Sequence, residues 1–300
     1  MTSLLSSSAS ASILSGSSSS SASFVPPEGG LSDEEGEASI LKSYLNSCGI
    51  PHVQINHLFT DVRTGLVLLR MLDWLEPGCV DWKSAETNPS NKFKCISNLN
   101  LFLQLVRERL RLPFVNIGAV DVYSEHNSKY VLAIIWQLLR YNTIAKLKQI
   151  RNDITHRRGE EADHKEITDQ SILDWANAKV KGRPHPMAAA HNAAAAASWS
   201  DASLRSSLFL LNLLDNVQQG CVDWSAVEEP PSSASSAADS SVDLQQLLLR
   251  NARYAISVCR KLGAELFALP QDIVSANRKQ LVLVLASIMA CEYALEEAEE

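Results

Sequence analysis

The chain has 300 residues, of which 46% are hydrophobic, and its formal net charge is −7. This length allows about two domains with ordinary cores, and the acidic balance argues against a general affinity for nucleic acid. No apolar stretch reaches the roughly 18–20 residues that a membrane span needs, so we expect a soluble protein.

Residues 1–37 are predicted to form a disordered tail. Thirteen serines come before position 24, and the acidic run Asp33-Glu34-Glu35 follows. Such a segment buries too little apolar surface to offset the chain entropy lost on folding. Because no basic residue comes before Lys42, the tail does not have the pattern of a secretory signal peptide.

Four main helices are predicted in the first half of the chain, where almost all apolar periodicity is helical. They cover 38–47, 64–76, 93–111 and Ser128 to about Lys148. Pro77-Gly78 ends the second helix and Pro113 the third. The fourth begins with a run, 131–139, that is apolar on nearly all sides, which is typical of a helix through the middle of a domain.

A basic strip, 140–158, follows that apolar run. It contains Arg140, Lys146, Lys148, Arg151, Arg157 and Arg158 against the single acid Asp153. A basic strip on an acidic protein indicates one acidic partner surface. The alternative interpretation is a solvated helix end that continues into a linker.

The second half of the chain repeats the first. The word Gly78-Cys79-Val80-Asp81-Trp82 returns 142 residues later as Gly220-Cys221-Val222-Asp223-Trp224. A period this long is a whole domain, not a solenoid unit. The predicted helices of the second copy run over Ile167–Val180, Leu204–Val217, Val242–Leu262 and Asn277 to about Glu292.

These patterns give the predicted domain organisation. The first domain is 38–148, the linker is 149–166, the second domain is 167–292, and an acidic tail covers 293–300. Two segments rich in alanine, serine or proline, 182–198 and 226–241, are interpreted as low-complexity loop expansions within the second domain.

Enzyme, metal-site and cofactor hypotheses find little support in the sequence. It has no G-x-G-x-x-G, P-loop, H-E-x-x-H or G-x-S-x-G motif. His52 and His57 lack a third ligand nearby, and the six scattered cysteines are interpreted as buried thiols of a reduced cytosol. We therefore predict a non-enzymatic protein without a cofactor.

Several short sequence motifs resemble those of calponin-homology domains. More narrowly, they resemble those of the C-terminal actin-binding tandem of the plastin/fimbrin family. The resemblance covers about 38–292 and rests on Pro51-His52-Val53, Asn56-His57-Leu58, Val80-Asp81-Trp82, the run 131–140, the run 251–258, the run 269–274, and Ala286-Ser287-Ile288-Met289. It implies an all-α protein of two tandem calponin-homology domains, each a bundle of four main helices. It also implies actin-filament binding in the cytoplasmic actin cytoskeleton, as part of filament bundling.

The resemblance places the candidate filament contacts on three helices, the first and last of copy one and the first of copy two, with lysines of one loop added. The candidates are Leu41, Lys42, Tyr44, Lys83, Lys92, Lys94, Leu138, Arg140, Tyr141, Lys146, Lys148, Trp175 and Lys179. For Leu41 and Leu138 the alternative interpretation is packing inside the core. For Trp175 it is packing between the two domains.

The chain also departs from the family. It has no EF-hand loop of the form D-x-[DN]-x-[DN]-G and only one tandem. We expect either a fragment of a longer two-headed chain or a single-headed monomer. The alternative function is a cytoskeletal scaffold or adaptor whose calponin-homology pair binds another protein instead of actin.

Overall fold

The computed structural model describes residues 33–112, 114–124, 128–158, 166–231 and 240–299. Within the described ranges six α-helices form the first copy, and a short π-helical turn, Val106–Leu110, continues the fourth. The helices are α1 (Asp33–Ser47), α2 (Leu58–Val62), α3 (Leu66–Leu75), α4 (Lys92–Leu105), α5 (Ala119–Tyr123) and α6 (Ser128–Arg157).

Seven α-helices form the second copy, and a 3₁₀ turn at Trp224–Ala226 follows its main apolar helix α10. They are α7 (Asp169–Gly182), α8 (Pro186–Ala190), α9 (Ala202–Arg205), α10 (Leu208–Val217), α11 (Ser240–Lys261), α12 (Pro270–Val274) and α13 (Arg278–Glu299). The longer helices α1, α3, α4 and α6 correspond in order to α7, α10, α11 and α13. The all-α prediction, with four main helices in each copy, is confirmed.

The repeated Gly-Cys-Val-Asp-Trp motif makes the same hydrogen bonds in both copies. Asp73, in α3, accepts hydrogen bonds from the amide of Gly78 at 3.1 Å and from the indole of Trp82 at 3.0 Å. In the second copy Asp215 accepts from Gly220 at 2.9 Å and from Trp224 at 3.4 Å. One carboxylate thus closes the turn after the helix and fixes the indole against the core.

Each copy has its own apolar core, but the two cores share side chains. Leu138 and Leu139 of α6 lie in the first core, whereas Leu147, two turns further along the same helix, lies in the second. Leu283 of α13 belongs in turn to the first core. The central helices α6 and α13 therefore pack along each other and join the copies.

Both ends of the first copy extend beyond the predicted bounds. Helix α6 runs to Arg157, so the first half of the predicted linker 149–166 is helical, because Leu147 packs against the second copy and stabilises the helix there. Helix α1 begins at Asp33, where acidic residues favour a helix N-terminus. Residues 33–37 are therefore not tail, and 1–32 lie outside the described residues.

The segment 182–198 is not a simple loop expansion. It contains α8, and three of its alanines, Ala188, Ala193 and Ala196, are buried in the second core. Asn177 fixes the segment by two backbone hydrogen bonds to Ala196, at 2.8 and 3.0 Å. Small side chains are thus required here for close packing. Half of the other predicted expansion, 226–241, lies outside the described residues, namely 232–239.

The ends of two other predicted helices also differ. The predicted helix Leu204–Val217 is two helices, since Ser207 adopts a left-handed backbone with φ of 65°. Helix α13 continues to Glu299 and includes most of the predicted acidic tail 293–300. The helix therefore continues well past its apolar part.

Candidate functional site

Three of the predicted contact residues are buried in the first core. Leu41, Tyr44 and Leu138 expose 0%, 1% and 0% of their surface. The Tyr44 ring meets the edge of the Phe267 ring with centroids 5.2 Å apart, and burial raises the pKa of its hydroxyl far above the ordinary value. In this arrangement the three side chains pack inside the core, where they hold α1 and α6 in the fold.

The basic strip faces acids of the second copy. Arg140 binds Asp169 at 2.6 Å, and Lys146 binds Glu265 at 2.6 Å. Further along α6, Arg158 lies 3.5 Å from Glu296. Much of the acidic surface that the strip indicated thus belongs to the chain itself.

Asp169 is the centre of this contact. It opens α7, directly after the N-cap Thr168, whose hydroxyl accepts from the Ser171 amide at 3.1 Å. Arg140 pairs with the Oδ1 oxygen of Asp169. A second guanidinium, that of Arg278, lies 3.0 Å from the other carboxylate oxygen, Oδ2. Partial burial favours the protonated acid, but the two guanidinium groups outweigh it and lower the pKa of Asp169.

Three other candidates also have partners within the chain. The Tyr141 hydroxyl donates to Glu76 at 2.5 Å, and burial together with this carboxylate raises its pKa to about 12. In the second copy, Trp175 donates to Glu292 at 2.7 Å, and Lys179 forms an ion pair with the same carboxylate. Trp175 therefore packs against the second core.

The remaining candidates are lysines that solvent reaches. Lys83 and Lys92 are exposed, and Lys42 and Lys148 are half-buried. Lys94 pairs with Glu86 at 3.0 Å, with 41% of its side chain exposed. Lys92 and Lys94 lie at the start of α4, and Lys83 lies in the connector before it.

Sequence reasoning missed the side chain between the two lysines of α4. Phe93 exposes 83% of its surface, more than any other large hydrophobic residue that the structure describes. It lies two residues before the buried Cys95, and therefore about 200° around the helix from that inward position. That angle is the signal that could have identified it.

Phe93 lies between two lysines in the chain, and the first of them shares an aromatic contact with Arg63. The ammonium group of Lys92 lies 5.7 Å from the centroid of the Tyr123 ring, and the guanidinium of Arg63 lies 5.7 Å from the same ring. We call Lys92, Phe93 and Lys94 the α4 surface. An apolar anchor between basic groups suits a protein partner with acidic and apolar patches.

Across the described part of the chain, no three His, Cys, Asp or Glu side chains converge as metal ligands would. None of the helices described there has both the length and the apolar character needed to cross a membrane.

Comparison with known proteins adds a family and a fold. The family model "Calponin homology (CH) domain" matches residues 37–144 and 166–294. Fimbrin-5 of Arabidopsis thaliana is 37% identical over 256 residues, which cover 84% of this chain and 33% of the relative. Human Plastin-3 is 28% identical over 264 residues, or 86% of this chain and 37% of the relative.

A solved structure agrees with these matches. The actin-crosslinking core of Schizosaccharomyces pombe fimbrin superposes with a TM-score of 0.67 at 26% identity. The match covers 87% of this chain and 49% of that structure. The chain spans about one third of the length of the curated relatives described above.

Proposed function

The chain belongs to the calponin homology (CH) domain family, and we propose that it is a non-enzymatic module that binds actin filaments reversibly. One observation carries the proposal, namely the likeness of 87% of the chain to the actin-crosslinking core of a fimbrin, at a TM-score of 0.67. The tandem would act in the cytoplasm, within the actin cytoskeleton. Neither a catalytic step nor a cofactor is part of the proposal.

The α4 surface leads the contact in our proposal. Phe93 is the apolar anchor, because a largely exposed aromatic side chain gains most from desolvation by a partner. Lys92 and Lys94 flank it and steer it toward an acidic patch. Lys83 and, on other helices, Lys42 and Lys148 extend the basic rim.

The paired residues have a secondary role in the proposal. The Lys146–Glu265 pair is exposed on both sides, with 44% and 67% of the side chains open to solvent. Such a pair contributes only about 0.2–1 kcal/mol, so an acidic filament surface can compete for the lysine. The same argument applies with less force to Arg140, whose partner Asp169 is partly buried, and with least force to Lys179, whose partner Glu292 is buried.

Filament bundling is proposed for the assembly and not for one tandem. A cross-link needs two binding heads, and this chain supplies one pair of CH domains, which we place at 38–148 and 167–292. A second head would come from a longer chain or from another copy. Bundling by the lone tandem is therefore not expected.

Co-sedimentation of the full chain with actin filaments tests the proposal. We expect saturable pelleting that weakens as salt is raised, because the basic groups on the α4 surface are solvent-exposed and screened. A chain that stays in the supernatant with filaments at low salt would refute filament binding.

A paired variant tests the α4 surface itself. Lys92→Ser with Phe93→Ser should weaken filament binding about tenfold or more, as expected for the loss of a central aromatic anchor. The matched control is Val115→Ser, which removes another exposed hydrophobic side chain of the first copy, 74% exposed, outside the α4 surface. Equal affinities of the two variants would remove the α4 surface from the proposal.

A further inference from the structure

One aromatic ring of the first copy holds two cationic side chains. The ring belongs to Tyr123, the last residue of α5, and its centroid lies 5.7 Å from the Lys92 ammonium and 5.7 Å from the Arg63 guanidinium. Lys92 opens α4, and Arg63 follows directly after α2. Tyr123 packs against the first core, so its ring is a fixed base for side chains from two other parts of the copy.

The contact with the ring leaves the charge of Lys92 available to a partner. Lys94 and Lys146 pair with carboxylates, those of Glu86 and Glu265, which offset much of the charge of each lysine. An aromatic ring attracts a cation through its quadrupole and carries no net charge of its own. In the described part of the chain, Lys92 is thus held in place by a ring and not by an acid.

The same contact steadies the helical turn that carries Phe93. Helix ends fray easily, and Lys92 and Phe93 are the first two residues of α4. Asn91 caps this turn by accepting from the Lys94 amide at 3.1 Å, and the Tyr123 ring holds it from the side. Neighbouring residues of a helix point about 100° apart, so Lys92 lies on the ring while Phe93, 83% exposed, faces solvent.

A side chain that is held before binding loses less freedom when it binds. Lysine is among the side chains with the most rotamer freedom, and ordering such a side chain at an interface lowers the affinity. The Tyr123 ring orders Lys92 in the free protein, directly beside the exposed Phe93. The α4 surface is therefore preorganised for a partner with acidic and apolar patches.

The second copy has valine where the first has the tyrosine. Asp121 and Asp272 cap α5 and α12 in the same way, by accepting from the amide three residues earlier at 2.9 and 2.8 Å. Tyr123 of the first copy therefore corresponds to Val274 of the second. Arg205 takes the place of the arginine of the first copy, and it donates from Nε to the Val274 carbonyl at 3.0 Å.

The second copy also differs at the positions of the α4 surface. Asn98 and Asn251 make the same hydrogen bonds, which aligns α4 with α11. The α4 surface, 92–94, then corresponds to Gln245, Gln246 and Leu247. Two neutral amides and a leucine replace two cations and an aromatic anchor. The ring and the groups that it holds therefore distinguish the first copy from the second.

We propose that Tyr123 is a positioning residue for filament binding, because its ring holds Lys92 and Arg63 in place. The inference rests on the proposed function of the α4 surface. Tyr123 acts through the two cations and does not itself have to touch the filament. Its presence makes the first copy the one that contacts the filament at this surface, although both copies share the fold.

Co-sedimentation of the full chain with actin filaments tests the role of the ring. Tyr123→Leu keeps an apolar side chain but removes the ring, and it should weaken binding about threefold at low salt. Tyr123→Phe keeps the ring and should bind like the unaltered chain. The matched control is Tyr130→Leu in α6, which removes a ring 5.2 Å from the Lys129 ammonium and should leave the affinity unchanged. Thermal unfolding checks that each variant is folded.

NMR of the free protein observes the contact without filaments. The ring current of Tyr123 should shift the ε-methylene protons of Lys92 upfield, because the ammonium lies 5.7 Å from the ring centroid. The shift should disappear in Tyr123→Leu and persist in Tyr123→Phe. A general loss of stability would not separate the two variants in this way.

Failure of this inference and failure of filament binding give different results. An unaltered chain that stays in the supernatant refutes filament binding itself. If the unaltered chain pellets and Tyr123→Leu binds equally well, only the role of Tyr123 is overturned. Equal losses in Tyr123→Leu and Tyr123→Phe, or in Tyr123→Leu and Tyr130→Leu, would also overturn it, because the loss would then not depend on this ring. So would Lys92 resonances that are the same in Tyr123→Leu and Tyr123→Phe.

Discussion

Asn98 and Asn251 make the same three hydrogen bonds at equivalent places in the two copies. Each amide donates to two carbonyls and accepts from one backbone amide, and each residue exposes only 1% of its surface. The partners are Thr64 and Glu86 in the first copy and Ser206 and Glu228 in the second. One buried side chain thus joins two loops to the third main helix.

Removing either amide should destabilise the protein strongly. Asn98→Ala or Asn251→Ala leaves buried backbone groups without partners, so we expect a loss of about 2–3 kcal/mol in the free energy of unfolding. Urea unfolding followed by circular dichroism measures it. Asn216→Ala, at a partly buried asparagine of α10, is the control and should cost less. Equal losses at all three positions would contradict a special role of the paired amides.

Ser207→Gly should stabilise the chain. Ser207 has φ of 65° and a buried hydroxyl without a partner in the structure, whereas the equivalent Gly65 has φ of 76°. Glycine relieves both costs, and we expect a gain of about 1 kcal/mol after its larger chain entropy is counted. Thermal unfolding measures the gain. The reverse change, Gly65→Ser, should destabilise, since its Cβ would lie 2.6 Å from that of Asn98.

Asp169→Asn should remove a pH-dependent part of the stability. The folded pKa of Asp169 is lowered, so its contribution is present above the unfolded pKa of about 4 and is lost as pH falls through the folded value. The pairs are partly exposed, so we expect a loss below about 1 kcal/mol at pH 7. Urea titrations of both proteins should differ at pH 7 and converge as the pH falls below the folded pKa of Asp169. A constant difference would contradict the assignment.

Lys146→Glu with Lys148→Glu should weaken filament binding while helicity is kept. Two reversed charges on an exposed rim should lower affinity about tenfold at low salt and less at high salt. Co-sedimentation measures the affinity. Because Lys146 also pairs with Glu265, the control is Glu265→Gln, which breaks that ion pair and leaves the lysine. If the control weakens binding as much as the double variant, the lysines act through the fold and not through the filament.

The fold could be predicted from the sequence because its signals are local and repeated. The Gly-Cys-Val-Asp-Trp word and the apolar helical stripes identified the duplication, and the predicted resemblance to fimbrins and plastins is confirmed by the matched relatives. Helix ends were less predictable. The continuation of α6 past Lys148 depends on Leu147, which is buried in the second core, and the buried members of that core resume only at Ile167, 20 residues further along.

The surface was predicted less well than the fold. Leu41 and Leu138 satisfy a family pattern and an apolar stripe at once, and only packing shows that the stripe faces inward. The partners of the basic strip, Asp169 and Glu265, lie far from it in sequence, so no spacing rule joins them. Phe93 was missed because the prediction for this segment rested only on the charge of the neighbouring lysines.

Helix α6 has a consequence for how the two copies can be separated. The first turns of α6 contribute to the first core, and Leu147 further along contributes to the second. In the opposite direction, Leu283 of α13 in the second copy packs in the first core. Cutting the chain between the copies would strip each half of apolar contacts that its own sequence does not replace. Each core thus depends on apolar side chains that the other copy supplies, and we expect either half alone to be less stable than the pair.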